Sequence, residues 1–451
     1  MARSERIRLL IHSPYRKING LPSGVNSMIE ESIPHLERLG CDVKTVRPAP
    51  LRYPFEKKDD SDYHLGRGVP AIVDSTDFEV GFAFSKRSAR DILEDARPHI
   101  VECHEPAIPF AAHTLISANP KIDENRRLVP FAAVQHAGMP DGGVERITEF
   151  VREILTRAKR VKFNKFFLPV GFTPGWVQTL RDGFSSWSAV TEDTRDFWYK
   201  YNPQDYSIIP NGFEVRDFTP DGEIFEEWKT DGKRTVLVVA RHDKRKGLDD
   251  LLLAHKENVK ADYNVKLKLT GRGDMTEALE ELVRREDIPD VEFLGSLSKP
   301  DLTKAYRTAD VVVAPSVGGE GFNRTIVEGR MSGVLVVCTN IAGQKRAIGD
   351  ELKGLMAEPK NPGSLAEKIR NVLDLPEEYA KELREQSRRS ATQDFGWETV
   401  SLKRVAHYDQ ILSRHGQVPE WEGATKTFLS RIPIAGDIFV SDRPKKYQRR
   451  S

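Results

Sequence analysis

The chain has 451 residues, of which 39% are hydrophobic and 30% charged, and its 69 Lys and Arg stand against 68 Asp and Glu for a formal net charge of +1. That length exceeds what one hydrophobic core organises, and the composition excludes disordered and fibrous classes. The charge balance leaves no global basic field, so nucleic acid is excluded as the expected partner.

The first predicted strand is the run IRLLIH from Ile7, inside an N-terminus (MARSERIRLLIHSP) whose apolar run is too short for a signal-peptide core. Val25, Met28, Ile29, Ile33, Leu36 and Leu39 follow at helical spacing and are closed by Gly40, with Pro34 expected to kink or break that helix. Further strands are read at VKTV from Val43, HIVECHE from His99 and LVPFAAVQH from Leu128. Between Arg152 and Trp176, Arg157, Lys159, Arg160, Lys162 and Lys165 interleave with Phe163, Phe166 and Phe167. Core packing with a solvated basic face is the plainer reading of that stretch, and docking on an anionic membrane surface is the sharper one.

The alternation restarts near Arg234 with TVLVVA, VKLKLTG, VEFLG, VVVAPS and VLVVCTN, separated by helical patterns such as MTEALEELVRRE and LTKAYRTA. Blocks rich in β-branched residues between amphipathic helices read as a doubly wound parallel sheet, here twice. Pro210, Asn211, Gly212, Pro220 and Gly222 cluster as turn formers between the two series. The expected division is therefore residues 1–212, then 213–395, a helix over 396–415 and a tail over 416–451 that ends in the basic RPKKYQRRS.

Cys41, Cys103 and Cys338 lie far apart without a CxxC pair, which argues against structural zinc and against a disulfide framework and fits a reducing cytoplasm. No apolar stretch approaches a membrane span, so a cytoplasmic protein, at most peripheral at the inner membrane face, is expected.

The sharpest chemical signal is EGFNRTIVEG, with Glu320 and Glu328 eight apart after a strand ending at Pro315 and a Gly318–Gly319 loop. On its own such a pair describes an ordinary solvated helix. Its setting in a strand, loop, helix, strand unit brings it to the carboxyl edge of a sheet, where amides from Gly321 to Arg324 can receive a diphosphate. Glu328 is expected about two turns into the helix. The second signal is VVARHDKRKGLDDLLLA, where Arg241 and Lys246 follow a strand end and can neutralise a leaving diphosphate.

These two segments resemble the paired donor-site motifs of glycosyltransferase family four, retaining enzymes of the GT-B fold. LTGRGD, VEFLGSLSKPDLTKAYRTADVVVAPS, WSAVTEDTRDFWYK and SIIPNGFEVRDF resemble the family in the same order, over residues 5 to 412 and most strongly from 206 to 343. The resemblance implies an α/β protein of two Rossmann-like domains facing a central cleft, with the helix over 396–415 returning to the N-terminal domain. It also implies that Arg241 and Lys246 hold the diphosphate, Glu328 the donor ribose and Glu320 the sugar hydroxyls. Gly321, Phe322 and Asn323 would meet the diphosphate or sugar, and Gly271 and Arg272 would lie near the base.

In HSPYRKINGLPSGVNSM, Gly24 matches a glycine that closes over the diphosphate, although the family has a Gly pair where this chain has Ser23-Gly24. His136 matches a histidine beside the reacting sugar, and the HEP at His104 to Pro106 lines the acceptor side by the same logic. After CTN the chain has Ala342-Gly343 and Arg346 where the family shows a Gly pair followed by Glu, and GMPDGGVERITEF has no counterpart.

The expectation is a metal-independent transfer, with retention, from a UDP- or GDP-sugar used as substrate and without a cofactor. The acceptor would be a glycan, a lipid-linked molecule as in the phosphatidylinositol mannosyltransferases that the chain distantly resembles, or a small molecule. A nucleotide-sugar epimerase or dinucleotide oxidoreductase is the rival enzyme, against which the first βα turn lacks GxGxxG. A non-catalytic sugar-nucleotide-binding protein is the rival outside enzymes.

Overall fold

The computed structural model describes residues 6–15, 24–49, 62–73, 76–82, 85–106, 111–121, 128–136 and 181–416. Most of the loop before Gly24, the segment 152–176, the stretch 137–150 and the tail after residue 416 lie outside them. The chain divides into two compact units, one of residues 1–212 with 398–451 and the other Phe213–Trp397.

In the first unit the elements run β1 (Ile7–His12), α1 (Gly24–Arg38), β2 (Cys41–Ala49), β3 (Asp62–Val73), β4 (Thr76–Phe82), α2 (Lys86–Ala96), β5 (Ile100–His104), α3 (Ala111–Ala118), β6 (Phe131–Gln135), β7 (Ser186–Ala189), α4 (Glu192–Tyr199) and β8 (Tyr206–Ile208). The sheet order is β4-β3-β2-β1-β5-β6-β7-β8. All neighbours pair parallel except β3 with β4, which form an antiparallel edge hairpin that the apolar periodicity did not announce. β1 is buried along nearly its whole length because both faces are covered, and this is why IRLLIH is continuously apolar and not alternating. α1 continues through Pro34 to Arg38, so the expected break at this proline does not occur. Gly40, at φ 90°, ends the turn that leads into β2.

The second unit runs β9 (Arg234–Val239), α5 (Leu248–Lys260), β10 (Val265–Thr270), α6 (Thr276–Arg285), β11 (Val291–Gly295), α7 (Lys299–Thr308), β12 (Val311–Ala314), α8 (Arg324–Met331), β13 (Leu335–Thr339), α9 (Lys345–Ile348), β14 (Met356–Ala357), α10 (Pro362–Leu373) and α11 (Glu377–Phe395). Its six strands lie in the order β11-β10-β9-β12-β13-β14, all parallel. The order reverses between β9 and β12, the point at which loops diverge and leave a crevice at the carboxyl edge. Local chemistry sets the helix starts: Ser298 accepts from the Asp301 amide at α7, and Asn361 accepts from Ser364 ahead of Pro362 at α10.

The ends of this unit are tied together. Phe213 N–H donates to Phe395 O at 2.8 Å, and Trp397 N–H donates back to Phe213 O at 3.1 Å. The chain then enters α12 (Trp397–His415), whose side chains bond to residues of the first unit: His407 meets Ser186 at 3.0 Å and Ser207 at 3.2 Å. Cys41, Cys103 and Cys338 are all buried and unbonded. Among the described residues no helix is long and apolar enough to cross a membrane.

Candidate functional site

In the second unit four loops meet at the carboxyl edge, two on each side of the reversal. After β9, Asp243 caps a 3-10 turn over Lys244–Lys246 by accepting from the Arg245 amide at 3.0 Å. This turn aims Lys246 across to the loop after β12, where its ammonium is ion-paired with the Glu320 carboxylate. Ser316 donates to the same carboxylate at 2.9 Å, and Arg245 donates to Gly319 O at 3.0 Å. Burial acts to raise the Glu320 pKa, but Lys246, Ser316 and Arg245 outweigh it and hold the group ionised below its usual range.

Gly343, after β13, closes against this loop. Its φ is +80°, and a Cβ there would lie 2.1 Å from Glu320 O, so only glycine lets the two backbones approach. Gly271 plays the same part after β10: at φ +113° a Cβ would stand 1.9 Å from Ala240 O. Arg272 and Arg241 are exposed at their strand ends, and the Arg272 guanidinium lies over Gly295.

α8 begins at Arg324 with Asn323 as its N-cap, and the Asn323 side chain makes no cap bond, so it does not occupy the first-turn amides. A diphosphate oxygen is the chemistry that suits a helix start, and the Asn323 side chain does not compete for it. Glu328 is the fifth residue of α8, in its second turn and nearer the start than the sequence spacing suggested. It is buried, accepts from Tyr306 OH at 2.9 Å and pairs with Arg324 at 3.4 Å. Phe322 packs in the core beside Phe213 and Phe395, with ring centroids 6.0 and 5.5 Å away, so this position anchors the loop.

The geometry thus brings together Lys246, Glu320, Gly321 and the start of α8, with Glu328 one turn deeper. Sequence reading missed Ser316, Tyr306 and Arg245, whose roles come from partners 4, 22 and 74 residues away. Arg346, the departure from the family's acidic residue, is half-buried in α9.

In the first unit β1 and β5 flank the corresponding reversal, with His12 and His104 at their carboxyl ends and His136 just beyond β6. His136 is buried; its Nε2 is 2.7 Å from His104 Nδ1, and the two rings stack. His104 Nε2 meets Glu102 at 2.8 Å. Burial, with the neighbouring His104, pushes His136 well below the ordinary imidazole pKa. Gly24 is the first residue of α1, and among the described residues nothing stands within 4 Å of where a Cβ would be.

Residues 221–390, within the Phe213–Trp397 unit, match the family described as Glycosyl transferases group 1. Over a longer span the chain is 29% identical to phosphatidyl-myo-inositol mannosyltransferase of Mycolicibacterium smegmatis, across 393 residues that make up 87% of this chain and 91% of that protein. Among solved structures it is similar to sucrose-phosphate synthase from Thermosynechococcus elongatus (TM-score 0.64, 15% identity, 91% of this chain and 100% of that one). It is also similar to HepE of Anabaena in complex with UDP and glucose (TM-score 0.62, 16% identity, 89% and 99%). At these identities the structures speak for the fold, and the two α/β units share that of the GT-B glycosyltransferases.

Proposed function

We propose that this protein is a retaining, metal-independent glycosyltransferase that takes a sugar from a UDP- or GDP-sugar and passes it to a lipid-linked, glycan or small-molecule acceptor. The observation that carries the reading is the Lys246–Glu320 pair standing beside the start of α8, which the Asn323 side chain does not cap. A diphosphate there would be met by Lys246, Arg241 and the amides of that helix start, and Glu320 holds Lys246 in place until it arrives. Glu328, held by Tyr306, offers its remaining acceptor capacity to ribose hydroxyls.

In the reaction the bond from the anomeric carbon to the diphosphate oxygen breaks and a bond to the acceptor oxygen forms. The acceptor proton passes to the departing phosphate oxygen, and the negative charge that develops is stabilised by the cations and amides. UDP and glucose bound to HepE, together with the name of the M. smegmatis relative, support a nucleotide-sugar donor and favour a lipid-type acceptor.

A thermal-shift screen against UDP-, GDP- and ADP-sugars tests this, since a ligand bound only by the folded state raises its stability with affinity. A shift with one nucleotide accompanied by sugar release supports the enzyme. A shift without turnover against inositol-phospholipid vesicles, glycans or water supports a non-catalytic binder, and no shift with any donor sinks the reading.

A further inference from the structure

A fully buried polar array runs through the first unit from α12 to the end of β6, and its hydrogen-bond directions can be counted. Glu102 on β5 receives the Arg404 guanidinium and His104 Nε2 on one oxygen, the latter at 2.8 Å, and Tyr408 OH on the other at 2.5 Å. Tyr408 OH in turn accepts from Arg404 Nε at 3.2 Å, so its own proton is committed to Glu102. None of the Glu102, His104, Arg404 and Tyr408 side chains is more than slightly accessible.

Within the array one carboxylate and one guanidinium balance; the Glu105 carboxylate, also buried, is turned to the His136 backbone amide at 3.1 Å and not to the His104 ring, so a second proton on His104 would lack a paired counter-charge. His104 is therefore neutral. An ionised carboxylate only accepts, so the single ring proton of His104 sits on Nε2, facing Glu102. His104 Nδ1 is then a bare acceptor, and the atom 2.7 Å from it, His136 Nε2, must be the donor.

We propose that Arg404, Glu102 and His104 are positioning residues that lock His136 in its Nε2-protonated tautomer, leaving Nδ1 as an acceptor and removing the ring as a proton donor. The Asn211 side chain is the other hydrogen-bonding neighbour of this ring, so Nδ1 accepts from the Asn211 amide N–H until a substrate hydroxyl takes its place. The substrate part of this statement rests on the transferase reading; the tautomer does not. Burial raises the Glu102 pKa, yet Arg404, His104 and Tyr408 overcome this and keep it well below the carboxylate range, while burial lowers both histidines. The consequence for the chemistry is specific. His136 can orient or deprotonate a hydroxyl, but it cannot protonate the departing phosphate oxygen, because its one N–H is spent inward.

Ring 15N spectra of the full chain labelled in histidine, recorded without ligand at pH 7, read the tautomer directly. His136 with a protonated Nε2 and a bare Nδ1, beside a neutral His104, is the expected result. A proton on His136 Nδ1, or an imidazolium at His104, overturns the proposal. Arg404→Gln removes the cation that balances Glu102, so His104 should take a second proton, donate through Nδ1 and drive His136 into the Nδ1-protonated form. With the donor selected by the thermal-shift screen, kcat should fall about tenfold or more while donor KM stays within about twofold. An unchanged His136 tautomer in a folded Arg404→Gln protein overturns the role of Arg404. If this variant does not fold, the wild-type spectrum still decides. A screen in which no nucleotide-sugar binds refutes the transferase reading and leaves the spectrum untouched.

Discussion

Lys246 and Glu320 are 74 residues apart in the chain and form an ion pair, with side chains only 19% and 9% exposed. They leave β9 and β12, the two strands between which the sheet order reverses, so the topology itself puts a cation and an anion into one crevice. A lysine in this turn without this partner would be a mobile surface charge. Paired, it is a fixed one.

Lys246→Met should lower kcat/KM about a hundredfold or more by removing a charge that faces the leaving group. It also strands the Glu320 carboxylate, costing roughly 2 kcal/mol of stability, measured by urea denaturation. Adding Glu320→Gln should restore most of the stability and none of the turnover. Because the folded pKa of Glu320 is depressed, its contribution is complete above the ordinary value of 4.5 and is lost as pH falls through the lower folded value. Glu320→Gln alone should therefore flatten the acid limb of the stability curve below pH 4.5.

Histidines govern the window above that. Burial, assisted by His104, takes His12 down to about 3, and burial takes His407 down to about 4, from 6.5. Between pH 6.5 and 4.5 the unfolded chain binds these protons and the folded chain does not, so stability must drop on acidification. Each histidine contributes about 1.4 kcal/mol per pH unit. His407→Gln, which can still bond to Ser186 or Ser207, should lose one histidine's share of that slope in denaturation measured at pH 6.5, 5.5 and 4.5.

Gly343→Ala puts a Cβ 2.1 Å from Glu320 O at a φ of +80°. The loop after β13 must retreat, at a cost of roughly 1–3 kcal/mol, and Glu320 moves with it. Donor KM should rise about tenfold, the equivalent of 1.4 kcal/mol. A donor titration with unchanged KM would show that the two loops are not coupled.

Arg330 on α8 is buried and holds Glu351 at 2.6 Å, Ser390 Oγ at 2.6 Å and Ser387 Oγ at 3.0 Å. Arg330→Met leaves Glu351 without its cation and should destabilise the fold by about 3–5 kcal/mol, more than any surface arginine. Glu351→Gln in the same chain should recover part of that loss, and guanidinium denaturation of both variants decides.

What could be read in the sequence was what local chemistry encodes. Val, Ile and Leu blocks marked β1, β5 and β9 to β13, because strands covered on both faces must be apolar throughout. The glycine-rich loop before α8 and the basic turn after β9 could be placed at strand ends from sequence, and the structure brings them together through Lys246 and Glu320. The β3–β4 hairpin and the three-residue β8 were not legible: DYHLGRGVPAIV and TDFEVGF carry glycines, a proline and charges in place of a β-branched block, and a three-residue strand has no periodicity of its own. The break that Pro34 allowed for does not occur for a related reason, since α1 is held by the tertiary packing of Met28, Ile29 and Leu36, which overrides a local cost.

Sequence alone thus determined the two α/β series and the residue types gathered at the carboxyl edge of the second. Tertiary structure alone decided that Lys246 is paired with Glu320, that Glu328 is anchored by Tyr306, and that Glu102 is balanced by Arg404 from 302 residues away. Charge balance and hydrogen-bond direction are properties of neighbours in space, and a buried group's protonation follows from them rather than from its place along the chain.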